Sequence, residues 1–229
     1  PRCAESICQL VQEGCSEKTD SVYTDVLTSI GAAVLPHVIP LLDGEDGRGL
    51  SIAVLARIQH ADAARALLGA LHRADHGAKR VLVRAIAQHT DPAAAESILA
   101  LALEDEDKGI RIIALRSLNR ERHRSGQGRL LQRVQSSTLR IASEEEKDLL
   151  FDALGRVSDG DVVPYLKGLL KVGLLRRSRP QQWRRAAKSL ARVATADAIA
   201  ALERGSASRN DDLALICAES LREAGNRRR

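Results

Sequence analysis

Apolar and polar positions follow a helical period along most of this chain. In residues 149–157 the apolar side chains recur at i, i+1, i+4, i+5 and i+8, which forms one broad helical stripe rather than one face of a strand. A second dense apolar stretch, residues 98–103, has the character of a helix that packs against such a stripe. The pattern therefore predicts an all-α protein built from paired helices.

The pattern also repeats. Residues 53–58, 152–157 and 188–193 share a motif in which a small residue or valine is followed by leucine, a small residue, arginine and a β-branched residue. Looser copies extend the series, and the apolar residue at the leucine position defines an anchor column. That column contains Leu27, Leu55, Ile86, Leu118, Leu154, Leu190 and Leu221. Seven units of roughly 30 residues each therefore fill the chain.

A helical hairpin of this length cannot enclose its own apolar face, so successive hairpins must stack on one another. We predict an α-solenoid of about seven hairpins within a single repeat domain, residues 1–229. The expected repeats are 1–30, 31–60, 61–90, 91–125, 126–159, 160–194 and 195–229. Helix starts are indicated by Asp91, which precedes a proline, and by Asp62 and Asp197 at comparable joints.

The amino-acid composition further narrows the possible fold classes. The chain has one Phe, two Tyr and one Trp, too few aromatic residues for most sandwiches and barrels. It contains no Met, and we expect it to be a piece of a longer polypeptide. We expect no stretch that crosses a membrane and no signal peptide, and hence a soluble, cytoplasmic protein.

Two segments resemble HEAT repeats, and more closely the short HEAT-like repeats named after phycobilisome lyases. Residues 31–43, GAAVLPHVIPLLD, are similar to a HEAT first helix with its mid-helix proline, and residues 212–221, DLALICAESL, are similar to a short second helix. The resemblance covers nearly the whole chain and implies a superhelix whose second helices line the concave surface. It implies little about activity.

Enzymatic relatives of this fold carry signatures that this chain lacks. HEAT-like deoxyhypusine hydroxylases bind iron through His-Glu dipeptides, and none of the six histidines is followed by glutamate. HEAT-like DNA glycosylases use several aromatic side chains to hold an extruded base, whereas this chain offers only Trp183 as an indole, which we expect to pack in a helix. We therefore predict that the chain is not an enzyme, with a lyase or DNA glycosylase-like activity as a remote alternative.

The cysteines do not have the spacing of a metal site. Cys3, Cys8 and Cys15 are separated by four and six residues rather than two, and Cys217 lies far along the chain. Small buried side chains in a reducing compartment are the expected explanation. We expect no metal, no cofactor and no catalytic residue.

Basic residues give the one functional pattern. Residues 1–60 hold four basic and eight acidic residues, although the whole chain carries +5. On the second helices, cations recur two and six residues before the anchor and two after it, and these positions share a face. They form a candidate ridge of Arg80, Arg84, Arg116, Arg120, Arg156, Arg184, Lys188 and Arg192, interrupted by Asp148 and Asp152. Residues 162–196 contain no acidic residue.

A positive ridge favours an acidic partner. The first hypothesis is a non-enzymatic scaffold or protein interaction module that captures an acidic protein surface or other domains of its parent chain on its concave face. The alternative is nucleic-acid binding through phosphate contacts without sequence readout, because base-stacking aromatic residues are scarce. A solvated helix face without function explains the same residues. No membrane partner is expected.

Overall fold

The computed structural model describes residues 5–9, 20–171 and 179–226, and over these ranges every regular element is a helix. The all-α class predicted from the sequence is confirmed. The chain divides into two compact units, Pro1–Ser117 and Leu118–Arg229. Both units are assembled from helical hairpins.

Besides a helical stretch at residues 5–9, unit 1 contains seven α-helices among its described residues. They are α1 (Asp20–Ile30), α2 (Leu35–Val38), α3 (Arg48–Arg57), α4 (Ala61–Arg73), α5 (His76–Ile86), α6 (Pro92–Glu104) and α7 (Lys108–Ser117). Helices α1, α3, α5 and α7 pack side by side in chain order and form one layer. The bent segment around α2, followed by α4 and α6, forms the other layer. The core lies between the layers.

Unit 2 has the same two-layer construction. Its described helices are α8 (Arg120–His123), α9 (Gln127–Gln135), α10 (Glu144–Val157), α11 (Val163–Leu169), α12 (Pro180–Val193), α13 (Ala196–Ser206) and α14 (Asp211–Asn226). The second helices α10, α12 and α14 pack in succession, and the first helices α11 and α13 contact each other on the other layer.

The anchor column lies in the core of both units. Leu27, Leu55 and Ile86 are completely buried, and so are Leu118, Leu154 and Leu190. Leu221, near the end of α14, is partly exposed. Six of the seven anchor residues are therefore buried at the same motif position. The seven repeat boundaries and the single domain stay predictions.

The segment between α1 and α3 is bent, as its prolines suggest. Two short 3-10 helices, Gly31–Val34 and Ile39–Asp43, flank α2, and Pro36 and Pro40 lie in the first turn of α2 and of the second 3-10 helix. Gly31 has a φ of 77°, a left-handed conformation that glycine adopts without a steric penalty. The change of direction brings this segment onto α3.

This region also corrects one expectation. Ser21–Asp43 spans 23 residues and contains an 18-residue window with a mean hydropathy of 1.6. By length and composition alone, it is long and apolar enough to cross a membrane. The prediction that no stretch would qualify is therefore wrong. Leu27, Val34 and Val38 of this segment are nevertheless completely buried against the rest of unit 1. Its hydrophobicity thus supplies the core of the first hairpins.

Helix starts follow the sequence in part. Asp91 accepts hydrogen bonds from the N–H groups of Ala93 and Ala94 and caps α6 as predicted. Asp62 and Asp197 instead lie in the first turns of α4 and α13, whose N-caps are His60 and Thr195. An acidic residue in a first turn still stabilises the helix through its dipole.

Candidate functional site

The eight ridge residues are divided between the two units. Unit 1 holds Arg80 and Arg84 on α5 and Arg116 on α7, and unit 2 holds the remaining five, Arg120, Arg156, Arg184, Lys188 and Arg192. The continuous ridge over four repeats stays a prediction. Within unit 2, however, the structure gathers several of these cations at one place.

That place is a groove between α10 and α12, with a volume of about 260 Å³. Four cations and two aspartates line it together with a glutamine and two apolar residues. The lining residues are Asp148, Leu149, Phe151, Asp152, Gln181, Arg184, Arg185, Lys188 and Arg192. We refer to this set as the α10/α12 groove. It combines three predicted ridge residues with both aspartates that interrupt the ridge in the sequence.

Asp152 is the partner of two of the predicted ridge arginines. Its Oδ1 lies 2.5 Å from Arg192 Nε, and its Oδ2 lies 3.0 Å from Arg156 Nε. Arg156 Nη1 also donates to the backbone carbonyl of Leu118 at 2.6 Å. Burial lowers the pKa of Arg156, an effect that the negative charge of Asp152 partly offsets. Arg156 and Arg192 therefore link parts of unit 2, and their partners are groups of unit 2 itself.

Asp148 is held by Arg185, which the ridge pattern does not include. Arg185 Nε lies 2.6 Å from Asp148 Oδ1, and Arg185 Nη2 lies 2.6 Å from Glu144 Oε2. Burial alone would lower the pKa of Arg185, but the hydrogen bonds to Glu144 and Asp148 raise it. Hydrogen bonds from Lys147 and then Arg185 lower the pKa of Glu144 from 4.5 to about 2. Both aspartates of the groove are thus neutralised by arginines.

Arg120 also has a structural partner. Its Nη2 donates to the carbonyl of Ser158 at 2.7 Å, and its Nε lies 3.6 Å from Asp159 Oδ1. Together with the Arg156–Leu118 hydrogen bond, this contact ties the start of α8 to the end of α10 in both directions. Three of the five ridge residues of unit 2 therefore hold repeats together.

Arg184 and Lys188 differ from these three. Both side chains are exposed and lie one helical turn apart on α12. Arg184 Nη1 donates to Gln181 Oε1 at 3.3 Å, and within the described residues neither cation has a carboxylate partner. Leu149 and Phe151 line the same groove. Phe151 is almost fully buried, and its carbonyl accepts a hydrogen bond from the Ser189 hydroxyl at 2.5 Å. The α10/α12 groove therefore offers two positive charges beside an apolar floor.

The ridge residues of unit 1 are less concentrated. Arg80 Nη2 lies 3.3 Å from Asp107 Oδ2. The backbone N–H of Gly109 and, after it, Arg80 hold the pKa of Asp107 below its usual value. Arg84 and Arg116 are both exposed. None of the three unit 1 ridge residues lines the α10/α12 groove.

Other candidate chemistry has structural explanations. Trp183 is buried within α12, as expected. Cys8 and Cys217 are buried, and burial raises the pKa of the Cys217 thiol to about 11, which keeps it protonated at neutral pH. Cys3 and Cys15 lie outside the described residues. Over 5–9, 20–171 and 179–226, no group of three or more His, Cys, Asp or Glu side chains is arranged to hold a metal ion.

Comparisons with known proteins give likenesses of fold only. No family model and no curated protein matches the chain. Among solved structures, it is similar to human deoxyhypusine hydroxylase with 15% identity and a TM-score of 0.43, over 98% of this chain and 96% of the other. It is also similar to an engineered protein with 16% identity and a TM-score of 0.32, over 97% and 96%. The short HEAT-like repeat type stays a prediction.

The first of these likenesses corrects the prediction that the chain is not an enzyme. The human protein is a hydroxylase, so a helical-repeat chain of this kind does not by its architecture exclude catalysis. At this identity and TM-score the likeness transfers no activity to the present chain.

Proposed function

We propose that this chain is a helical-repeat binding module that captures an acidic protein segment in the α10/α12 groove. The segment belongs to a partner protein or to another domain of a longer parent polypeptide. Arg184 and Lys188 contact its carboxylates, and Leu149 and Phe151 contact its aliphatic parts. Arg185 and Arg192 keep the groove walls in place through Asp148 and Asp152.

The ion pairs within the α10/α12 groove, and the two cations that they leave over, support this proposal. Four cations line it, but the two aspartates each lie 2.5 or 2.6 Å from an arginine and leave Arg184 and Lys188 without a carboxylate. Side chains that already form an ion pair within the protein gain little from an external anion, whereas exposed cations without a carboxylate are available to one. Charge complementarity therefore favours an anionic ligand at this position.

The test is binding of a fluorescently labelled polyglutamate peptide, measured by anisotropy. Replacement of Arg184 and Lys188 together by Glu should weaken binding by at least about tenfold, since two attractions become repulsions. The matched control replaces Lys108 and Arg222, exposed cations outside the groove, by Glu and changes the net charge by the same amount. An equal loss in the control, or no binding by the unaltered protein at low salt, would contradict the proposal.

Nucleic acid is the second candidate, favoured by the absence of acidic residues from 162–196. Contacts with many phosphates produce a steep decrease of affinity with salt. A titration with duplex DNA at two salt concentrations separates the candidates. Binding of DNA that is tighter than binding of polyglutamate, with a steep salt dependence and a loss in the Arg184 and Lys188 variant, would replace the acidic protein segment by a nucleic acid.

A further inference from the structure

A second groove of unit 2 lies between α11 and α13, with Leu213 of α14 also in its lining, and has a volume of about 300 Å³. Its lining contains three cations, one hydroxyl and no acidic side chain among the described residues. It is formed by Lys167, Leu170, Lys171, Ala201, Arg204, Gly205, Ser208 and Leu213. We refer to this set as the α11/α13 groove. The sequence pattern of the second helices does not include any of these residues.

The cations come from both walls. Lys167 and Lys171 lie at the end of α11 and just beyond it, and Arg204 lies in the last turn of α13. All three are exposed, and within the described residues no ion pair engages them. This differs from the α10/α12 groove, where arginines and aspartates pair. The α11/α13 groove therefore has a positive charge that the described part of the chain does not neutralise.

The floor between the cations is apolar and well packed. Leu170, Ala201 and Leu213 are each at most 7% exposed. Ala201 carries only a methyl group and Gly205, one turn later on α13, carries no side chain, so neither residue covers the groove of about 300 Å³. An aliphatic side chain placed there would cover this apolar floor and shield it from water.

Ser208 adds a directional donor at the rim. Its hydroxyl oxygen accepts a hydrogen bond from the N–H of Asn210 at 3.2 Å. A hydroxyl that already accepts in this way retains its own proton for donation. A carboxylate oxygen, which only accepts, is the complementary group, and it is the same group that three cations attract.

We propose that the α11/α13 groove is a second docking surface, and that it binds an acidic peptide segment in which a leucine-like side chain is flanked by carboxylates. The aliphatic side chain occupies the floor over Ala201 and Gly205. The flanking carboxylates contact Lys167, Lys171 and Arg204 and accept from Ser208. The site is distinct from the α10/α12 groove, because the two grooves share no lining residue.

The probes are two short synthetic peptides, one with leucines between glutamates and one with alanines between glutamates. Affinity for the leucine peptide should fall by about tenfold or more when Lys167 and Arg204 are both replaced by Glu. The alanine peptide should bind the unaltered protein about tenfold more weakly than the leucine peptide, because less apolar area is buried. The Lys108 and Arg222 double variant to Glu, at exposed positions outside both grooves, serves as the matched charge control and should retain this leucine-dependent binding.

A loss of stability would imitate a loss of binding, because cations in the last turn of a helix also interact with its dipole. The neutral pair Lys167→Gln and Arg204→Gln is therefore measured as well, with the helical circular dichroism signal and thermal midpoint of each variant. Folded variants that still bind the leucine peptide with unchanged affinity would overturn the docking surface. Equal losses in the Lys108 and Arg222 control, or equal affinities for the two peptides, would overturn it too.

Discussion

Arg192 on α12 donates to Asp152 on α10 across a distance of 2.5 Å between Nε and Oδ1. In sequence, this arginine follows its anchor by two residues, and the aspartate precedes the anchor of the previous repeat by two. Unit 1 contains the same relationship, in which Arg57 Nη1 lies 2.5 Å from Asp25 Oδ1. The arginine of the repeat motif therefore connects consecutive repeats in both units, and this contact is a structural one.

Replacement of Asp152 by Asn should destabilise unit 2. It leaves the cations of Arg156 and Arg192 close together, one of them largely buried, without the carboxylate that both contact. We expect the free energy of unfolding to fall by about 1–2 kcal/mol, below the value for a fully buried pair because 29% of the Asp152 side chain is exposed. Urea denaturation measures the change.

Asp148→Asn is the matched control for this prediction. Asp148 is 63% exposed, and Arg185 retains its second partner, Glu144, when Asp148 is neutralised. The expected cost is below about 0.5 kcal/mol. Equal costs for the two variants would show that Asp152 is not a special connector.

The sequence predicts the fold well because the core side chains recur at a fixed motif position. Six anchor residues from Leu27 to Leu190 are completely buried, and a residue that is buried in every hairpin leaves a periodic signal. The bend around Pro36 and Pro40 is also encoded locally, since proline removes a backbone donor. These features depend on neighbours along the chain.

The candidate site could be predicted only in part, because it depends on pairing between repeats. The spacing rule selects Arg156, Arg184 and Arg192 alike. Only the structure shows that Asp152 forms ion pairs with Arg156 and Arg192. No sequence pattern marks Phe151 as a groove residue, because a phenylalanine beside other apolar residues has the pattern of an ordinary core residue. A search for an aspartate two residues before one anchor and an arginine two residues after the next would have identified the connectors.

Acidification should weaken the contact of Glu144 with Arg185 and Lys147. The pKa of Glu144 is lowered in the folded protein from 4.5 to about 2, so the folded state binds this proton less readily than the unfolded state. The stabilising contribution is complete above about pH 4.5 and is lost as the pH falls toward about 2. Denaturation at about pH 5 and about pH 3 should show a smaller pH dependence in Glu144→Gln than in the unaltered protein. The same pH dependence in both proteins would refute the assignment.

Gly155 allows α10 and α12 to approach closely. A Cβ at this position would lie 2.8 Å from the carbonyl oxygen of Ser189 and 2.9 Å from Arg192 Cβ. Gly155→Ala should therefore cost about 1–3 kcal/mol by forcing the helices apart. The control is Gly128→Ala on α9, where a Cβ meets nothing within 4 Å and helix propensity predicts a gain of up to about 1 kcal/mol. Thermal and urea denaturation of both variants decide the comparison.

Gly205 on α13 and Cys217 on α14 form the corresponding close contact in the last hairpin. A Cβ on residue 205 would collide with Cys217 Sγ and lie 3.2 Å from its Cβ. Cys217 is completely buried, so its sulfur has little room to move. Gly205→Ala should cost about 1–3 kcal/mol by overpacking, and Cys217→Ala should cost about 1 kcal/mol through the lost sulfur contacts.

The double variant should be more stable than the sum of these costs predicts, because removal of the sulfur makes room for the new methyl group. We expect a favourable coupling of about 1 kcal/mol or more in the double-mutant cycle. Urea denaturation of the four proteins measures it. Additive costs would show that the helices relax around residue 205 without Cys217.

Gly205 also lines the α11/α13 groove, so the same four proteins test whether that groove depends on the contact with Cys217. If it does, affinity for the leucine peptide should fall in Gly205→Ala and recover in the double variant.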